Sequence, residues 1–332
     1  MKNSLRLGLA TLVAAAAALT GAATADAQSS ATKAPASTAK TRPAKAAVSH
    51  SAAVSKSEQR RITKYWTKKR MLKAKSGDTL LAGRAIGAGV AAGPATAAKG
   101  KKPQARAGGS TWTGGGLVAK TTGKVFFTLD GTDYVCSGSA TASTNKDLVT
   151  TAGHCVNEGP GDFATNWAFV PGYKDGNRPY GTFTARILYT TSAWANSGDF
   201  DYDAAFAVMN TLNGKHLTDV VGSQAIAFNQ GRGKYMYAFG YPAASPYTGE
   251  KLTYCYGTVF NDTWGDSNDI GMNCPMTGGS SGGPWFYNFN TSTGVGTINS
   301  VTSFGYTGLP GKLFGPYFGN TIKSVYDTAK AA

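Results

Sequence analysis

Histidine is scarce in this chain of 332 residues: there are three, so few positions are open to chemistry that needs an imidazole near neutral pH. Cysteine is almost as rare. The four cysteines, at 136, 155, 255 and 274, include no closely spaced pair of the kind that holds zinc, and no metal site is expected. No apolar run reaches the roughly 20 residues of a membrane helix; the longest, Leu7 to Leu19, falls short, which argues against a membrane span. Acidic residues number 18 against 33 basic ones, and only two acids lie between residues 28 and 110. Helical periodicity is nearly absent after Ser110, which argues against a helical bundle or an open parallel sheet with helices.

The short apolar run has a different use. Lys2 and Arg6 precede it and Ala25-Asp26-Ala27 follow it, the layout of a secretory signal peptide over residues 1–27. Residues 28–110 are rich in Ala, Lys, Ser, Thr, Gly and Pro, and such a stretch buries too little to fold alone, so a basic and largely disordered leader is expected. It carries 18 Lys and Arg against 2 acids, whereas residues 111–332 carry 13 against 15. The basic excess therefore belongs to the leader, and the 222 residues after it give no reason to expect a nucleic-acid partner. A wall-binding tail is one reading of the leader. A pro-segment removed after export is the preferred one, because Arg60-Arg61, Lys68-Lys69-Arg70, Lys101-Lys102 and Arg106 suit proteolytic trimming, with a cut expected between Lys99 and Gly114. Within it, Lys64 to Leu72 has the only anchoring aromatics, and a short docking helix is expected there.

An even number of cysteines in an exported chain implies two disulfides. Three connectivities are open; pairing neighbours gives two bridges of equal separation. Beyond Ser110, short β-branched and aromatic runs alternate with Gly, Asn, Asp and Pro, the pattern of an all-β domain over 111–332. Asp130-Gly131 between Lys124–Leu129 and Thr132–Cys136 predicts a tight hairpin. Further strands are expected at 148–150, 167–170, 182–190, 203–209, 235–240, 252–260, 270–274, 284–289 and 297–304. Asn320 is a candidate cap for a C-terminal helix carrying Ile322, Val325 and Tyr326.

His50 lies in the leader and His216 in the polar turn Asn213-Gly214-Lys215-His216, which leaves His154. It follows a strand and stands beside Cys155, so a disulfide can hold the imidazole for proton transfer. A nucleophile is expected at Ser281, in Gly278-Gly279-Ser280-Ser281-Gly282-Gly283-Pro284, where small residues let the backbone turn sharply and expose N–H groups. Those of Gly279 and Ser281 can form an oxyanion hole. Gly279-x-Ser281-x-Gly283 also fits the nucleophile elbow of an esterase, but that fold places its histidine after the serine, and none follows Ser281. The carboxylate that orients the imidazole is chosen from Asp199, Asp201 and Asp203. Asp203 opens the apolar run Ala204–Val208 and is preferred, with Asp201 second and a weak calcium site at Asp199 and Asp201 as the alternative use.

Thr150-Thr151-Ala152-Gly153-His154-Cys155, Asp203-Ala204-Ala205-Phe206 and Gly279-Ser280-Ser281-Gly282-Gly283-Pro284 resemble the three signature blocks of chymotrypsin-like serine proteases, in family order. Cys136-Ser137-Gly138-Ser139-Ala140 and Val301-Thr302-Ser303-Phe304-Gly305 resemble two more of its strands, and the likeness spans about residues 115–330. It implies two six-stranded antiparallel barrels with His154, Asp203 and Ser281 in the cleft between them, Ser303 supporting Asp203, and substrate backbone received along Ser303, Phe304 and Gly305. The signal and long leader look closest to the secreted bacterial branch near the glutamyl endopeptidases. Two departures stand out. Ser280 occupies the place of the aspartate that in most animal members receives a freed amino terminus. The base of the specificity pocket falls near Pro275, without the acid of trypsin, and Thr302 stands where glutamyl-specific members carry histidine, so Met276, Thr277, Thr302 and Phe304 point to an uncharged pocket. The expectation is a secreted, monomeric serine endopeptidase without cofactor, acting on proteins or peptides. An adhesin built on the same fold and an esterase are the rival classes.

Overall fold

The computed structural model describes residues 46–86, 90–93 and 109–332, with side chains from Ala85 to Gly93 left aside. The expected signal peptide and the basic clusters at Lys101-Lys102 and Arg106 lie outside the described residues. Six strands form the first barrel: β1 (Thr122–Leu129), β2 (Thr132–Thr141), β3 (Leu148–Thr151), β4 (Thr165–Pro171), β5 (Phe183–Thr191) and β6 (Ala205–Met209). They pair antiparallel in the order β5-β6-β3-β2-β1-β4, and β4 also pairs with β5 at Phe169–Phe183, which closes the barrel. Asp130 and Gly131 both take positive φ at the β1–β2 hairpin, as their sequence demands.

The second barrel uses β7 (Tyr235–Gly240), β8 (Thr253–Thr258), β9 (Ile270–Asn273), β10 (Pro284–Asn290), β11 (Val295–Val301) and β12 (Lys312–Gly315). Strands β11-β10-β7-β8 are consecutive in one sheet and β9-β12 in another. The Cys255–Cys274 disulfide joins β8 to the end of β9, and Ser303 and Phe314 continue the ladder beyond β11 through Ser303 N–H to Phe314 O at 2.8 Å. The other bridge is Cys136–Cys155, so the cysteines pair with their neighbours. Strand β12 has no counterpart among the expected strands, because its run is short and framed by Gly311, Gly315 and Pro316. The C-terminal helix spans Asn320–Ala329, but its cap is Gly319; Asn320 is already helical and its side-chain oxygen accepts from Asn229. Among the described residues no helix is long and apolar enough to cross a membrane.

Much of the leader is not disordered. Ala47–Ser51 adds an antiparallel strand along β5, and helices cover Lys56–Tyr65 and Lys68–Lys73. The first helix starts at a capping box: Ser55 accepts the Glu58 N–H while the Glu58 carboxylate accepts the Ser55 N–H. Docking occurs where expected, but the helix begins eight residues earlier than Lys64 and breaks at Trp66. The leader's apolar side chains are few, yet Ile62, Trp66 and Met71 are all buried in the large core cluster that includes the first barrel's interior. A segment that cannot bury its own surface folds by covering the barrel's. Trp66 sits against Phe126, with ring centroids 5.4 Å apart, and its indole N–H donates to Asn166 O. Trp66→Ala costs about 3–5 kcal/mol of docking. Limited trypsin digestion should then cut at Lys68-Lys69-Arg70 while the barrels survive; resistance equal to wild type would contradict the docked arrangement.

Candidate active site

Strand β3 delivers the chain to Ala152 and a single 3-10 turn, Gly153–Cys155, that the disulfide to Cys136 fastens to β2. His154, in that turn, is fully buried. Its Nδ1 lies 2.8 Å from Asp203 Oδ2, and its backbone N–H donates to Asp203 Oδ1 at 2.8 Å. A carboxylate only accepts, so the proton is on Nδ1 and the Nε2 lone pair is left for other work. Nε2 is buried and has no hydrogen-bond partner among the described residues. Asp203 comes from the end of the turn Phe200–Tyr202, just ahead of β6, which pairs with β3 through Ala205 and Thr151. Ser303, beyond β11, donates its hydroxyl to Asp203 Oδ2, so the carboxylate links the two barrels. A side chain at Gly153 has no room, for its Cβ would lie 2.8 Å from both Asp203 Oδ1 and the Trp194 ring.

Ser281 sits in the turn between β9 and β10. Gly279 (φ 96°) and Gly282 (φ 76°) take left-handed conformations that L side chains resist. A Cβ on Gly282 would also collide with the Thr151 hydroxyl, so glycine lets this turn close on the strand that carries His154. Ser137 pins the turn from behind. Its N–H donates to Ser281 O at 2.7 Å, and its hydroxyl donates to Gly279 O at 2.8 Å while accepting the Tyr241 N–H at 2.9 Å. The N–H groups of Gly279 and Ser281 donate to no backbone or side-chain acceptor among the described residues. Ser137 lies inside one of the signature-like blocks, but nothing in its spacing marked its hydroxyl for this task.

The expected pocket positions have varied surroundings. Met276 is buried among Met236, Cys255 and Trp285 in the second barrel's core. The Thr277 hydroxyl donates to Ala244 O, and the Thr302 hydroxyl accepts the Trp285 indole N–H. Phe304 joins Trp194, Phe200 and Phe314 in an aromatic cluster. Pro275 lies beside Gly109, and Gly305 pairs with the leader. Asp201 accepts from the Asn268 backbone and side chain, and Asp199 caps the turn that leads to Asp203. His216 bonds the buried Asp147 at 2.6 Å, on the barrel wall rather than in a free loop. The disulfide sulfurs of Cys136 and Cys155 and the His154 imidazole lie within 4.8 Å of one another, but bridged sulfurs carry no thiolate charge to hold a cation.

The leader lies over this constellation. Lys75–Ser76 runs parallel to β2 at Tyr134–Val135, and the turn Gly77–Leu81 that follows presses on the His154 turn. Asp78 is buried with its carboxylate where a Cβ of Gly278 would stand. Leu81 fills the cluster of Trp194, Phe200 and Phe304. Val90–Gly93 then pairs antiparallel with Gly305–Tyr306. Ser281 is only 2% exposed.

No family model matches the chain. Solved structures do, and with half of the aligned residues shared the chain belongs to the chymotrypsin-like serine proteases. It is 50% identical to the protease Anisep of Arthrobacter nicotinovorans, over 68% of this chain and 100% of that one, with a TM-score of 0.63. It is 46% identical to the thermostable serine protease AL20 of an extremophilic microorganism, over 65% and 99%, with a TM-score of 0.62. A Glu endopeptidase shares the fold at 22% identity, 67% and 96% coverage and a TM-score of 0.54. Among curated proteins, 77 residues are 32% identical to an extracellular metalloprotease of Bacillus subtilis strain 168; the chain spans about a quarter (24%) of that protein's length.

One buried acid near the site stands apart. Neither Asp269 oxygen has a hydrogen-bond partner among the described residues, and burial, reinforced by Asp201, Asp203, Asp262 and Asp199, holds its carboxyl well above the usual range. The folded protein keeps a proton that the unfolded chain gives up at about pH 4, so stability is lost as pH rises above that value. Asp269→Asn should therefore raise the melting temperature at pH 8, with the gain shrinking toward pH 4. No gain at pH 8 would contradict the assignment.

Proposed function

We propose that this chain is a secreted serine endopeptidase made with an inhibitory leader. The observation that carries the reading is the buried Asp203–His154 pair, whose Nε2 has no partner among the described residues, together with a serine turn whose Gly279 and Ser281 N–H groups donate to no acceptor among those residues. His154 Nε2 takes the proton of Ser281 Oγ as that oxygen attacks the substrate carbonyl carbon. The Gly279 and Ser281 N–H groups hold the oxyanion that forms, a contribution of about 3 kcal/mol per donor. The carbon–nitrogen bond then breaks, and His154 returns the proton to the leaving amine. Water attacks the acyl-enzyme with His154 again as base, and the acid product and Ser281 are released. Asp203 keeps the imidazole in one tautomer and stabilises its positive charge. Ser303, Phe304 and Gly305 receive the substrate backbone, and Pro275, Met276, Thr277 and Thr302 give the pocket no charge. The enzyme is read as a monomer that needs no cofactor.

Two bridged cysteine pairs suit an oxidising exterior. The leader is read as a pro-segment because Asp78, Leu81 and Val90–Gly93 occupy the ground a substrate needs. The Arthrobacter protease, matched over its full length, corresponds to about two thirds of this chain. Ser110–Thr111 pairs with β8 and Gly109 N–H donates to Tyr254 O, so a cut just ahead of Gly109 would leave that strand in place.

Secreted protein should begin between residues 99 and 109 on amino-terminal sequencing and should digest casein. Ser281→Ala should lower kcat/KM by roughly a millionfold without altering the fold. A start at Gln28 in fully active protein would contradict the inhibitory leader. Undiminished casein hydrolysis by Ser281→Ala would contradict the nucleophile, and absence of hydrolysis in folded, leader-free protein would favour an adhesin.

A further inference from the structure

Behind the Gly279 loop lies a buried cation that the reaction above does not use. Lys124, on β1, is 2% exposed, although lysine stems ordinarily carry their ammonium to water. Its Nζ lies 3.7 Å from Glu250 Oε1 and 4.5 Å from the centre of the Tyr173 ring. The Tyr173 hydroxyl donates to the same carboxylate, 2.8 and 2.9 Å from its two oxygens. Burying a charge in this way is costly unless its partner is fixed.

Glu250 belongs to the connection Tyr241–Leu252 between β7 and β8, and the other limb of that connection supports the oxyanion loop. Ala243 N–H donates to Gly278 O at 2.6 Å, and Thr277 and Ala244 exchange two further bonds. The limbs touch at Gly249, where a Cβ would stand 3.0 Å from Ala243 Cβ and 3.2 Å from Lys124 Nζ. A trans peptide points its C=O and N–H in opposite directions. With the Gly278 carbonyl held by Ala243, the Gly279 N–H is therefore turned away from that connection.

We propose that Lys124 is a positioning residue: paired with Glu250, it clamps Tyr241–Leu252 against Thr277–Gly279 and so keeps the Gly279 N–H aimed at the substrate oxygen. The proposal rests on the protease reading. It also gives Ser280 a context. With no carboxylate at that position to receive an ammonium freed by cleavage, the ordering charge is supplied from inside the fold, and the loop is in place before the leader is removed.

The titratable groups facing Lys124 are Glu250, from the connection, and Tyr173, from the turn after β4, with Tyr241 packed on the Tyr173 ring. Burial lowers Lys124 to about 8 against the opposing pull of Glu250, so the clamp loses its charge as pH rises through that value. Leader-free wild type, Lys124→Met, Lys124→Arg and Glu250→Gln should be compared by melting, peptide kinetics and hydrogen exchange. Folded Lys124→Met should lose roughly ten- to a hundredfold in kcat, less than the roughly 10²–10³ for deleting a donor, with KM within about twofold. Its segments 241–252 and 277–281 should exchange faster while β1–β6 do not. Lys124→Arg should hold its kcat above pH 8, where wild type declines. If Lys124→Met fails to fold, Glu250→Gln should show the same pattern. Unchanged kcat and unchanged exchange in a folded variant would overturn the proposal and leave the protease reading intact; an inactive wild type would overturn that reading, while the exchange data would still decide the clamp.

Discussion

The Asp203 carboxylate has no exposed surface, and an ion so buried persists only when fixed donors replace its water. Three donors do so: the His154 backbone N–H, the His154 ring and the Ser303 hydroxyl. The first two belong to a turn of the first barrel and the third to a strand extension of the second. One group therefore sets the imidazole and ties the barrels together. The surrounding restrictions follow from it: Gly153 has no room for a side chain, Trp194 walls the imidazole, and Gly282 lets the serine turn reach the histidine strand.

The leader is bound by the same geometry. A basic, small-residue segment has too little apolar surface to fold alone, but it requires only three or four anchors when the surface beneath is already formed. Ile62, Trp66 and Met71 supply them on the barrel, and Leu81 supplies one in the aromatic cluster beside the cleft. In the arrangement that includes the docked leader, His154 is fully buried. The bonds that set Asp203, His154 and Ser137 lie within the barrels, with partners outside the leader.

The barrels were legible because their strands end at Gly, Asn, Asp and Pro, and because Asp130-Gly131 admits one tight hairpin. Lys312–Gly315 was not, since the three residues between Gly311 and Gly315 carry no usable alternation. Asp203 was separable from Asp199 and Asp201 by the apolar run behind it, and those two acids do serve the approaching loop and Asn268. The folded leader escaped because composition measures what a segment can bury by itself, not what it can cover. The roles of Ser137, Lys124 and Asp78 escaped for a related reason: each depends on a partner more than a hundred residues away, and no local pattern encodes such a contact.

The central claim is that Ser281 is an activated nucleophile kept from reagents by the leader. Mass spectrometry after exposure to a fluorophosphonate tests it directly, with full-length and leader-free protein treated side by side. The account predicts stoichiometric labelling of Ser281 in the leader-free protein, dependent on His154, and little labelling of the full-length chain. Leader-free protein that is folded yet unlabelled at Ser281, or labelling equal in both forms, would contradict it.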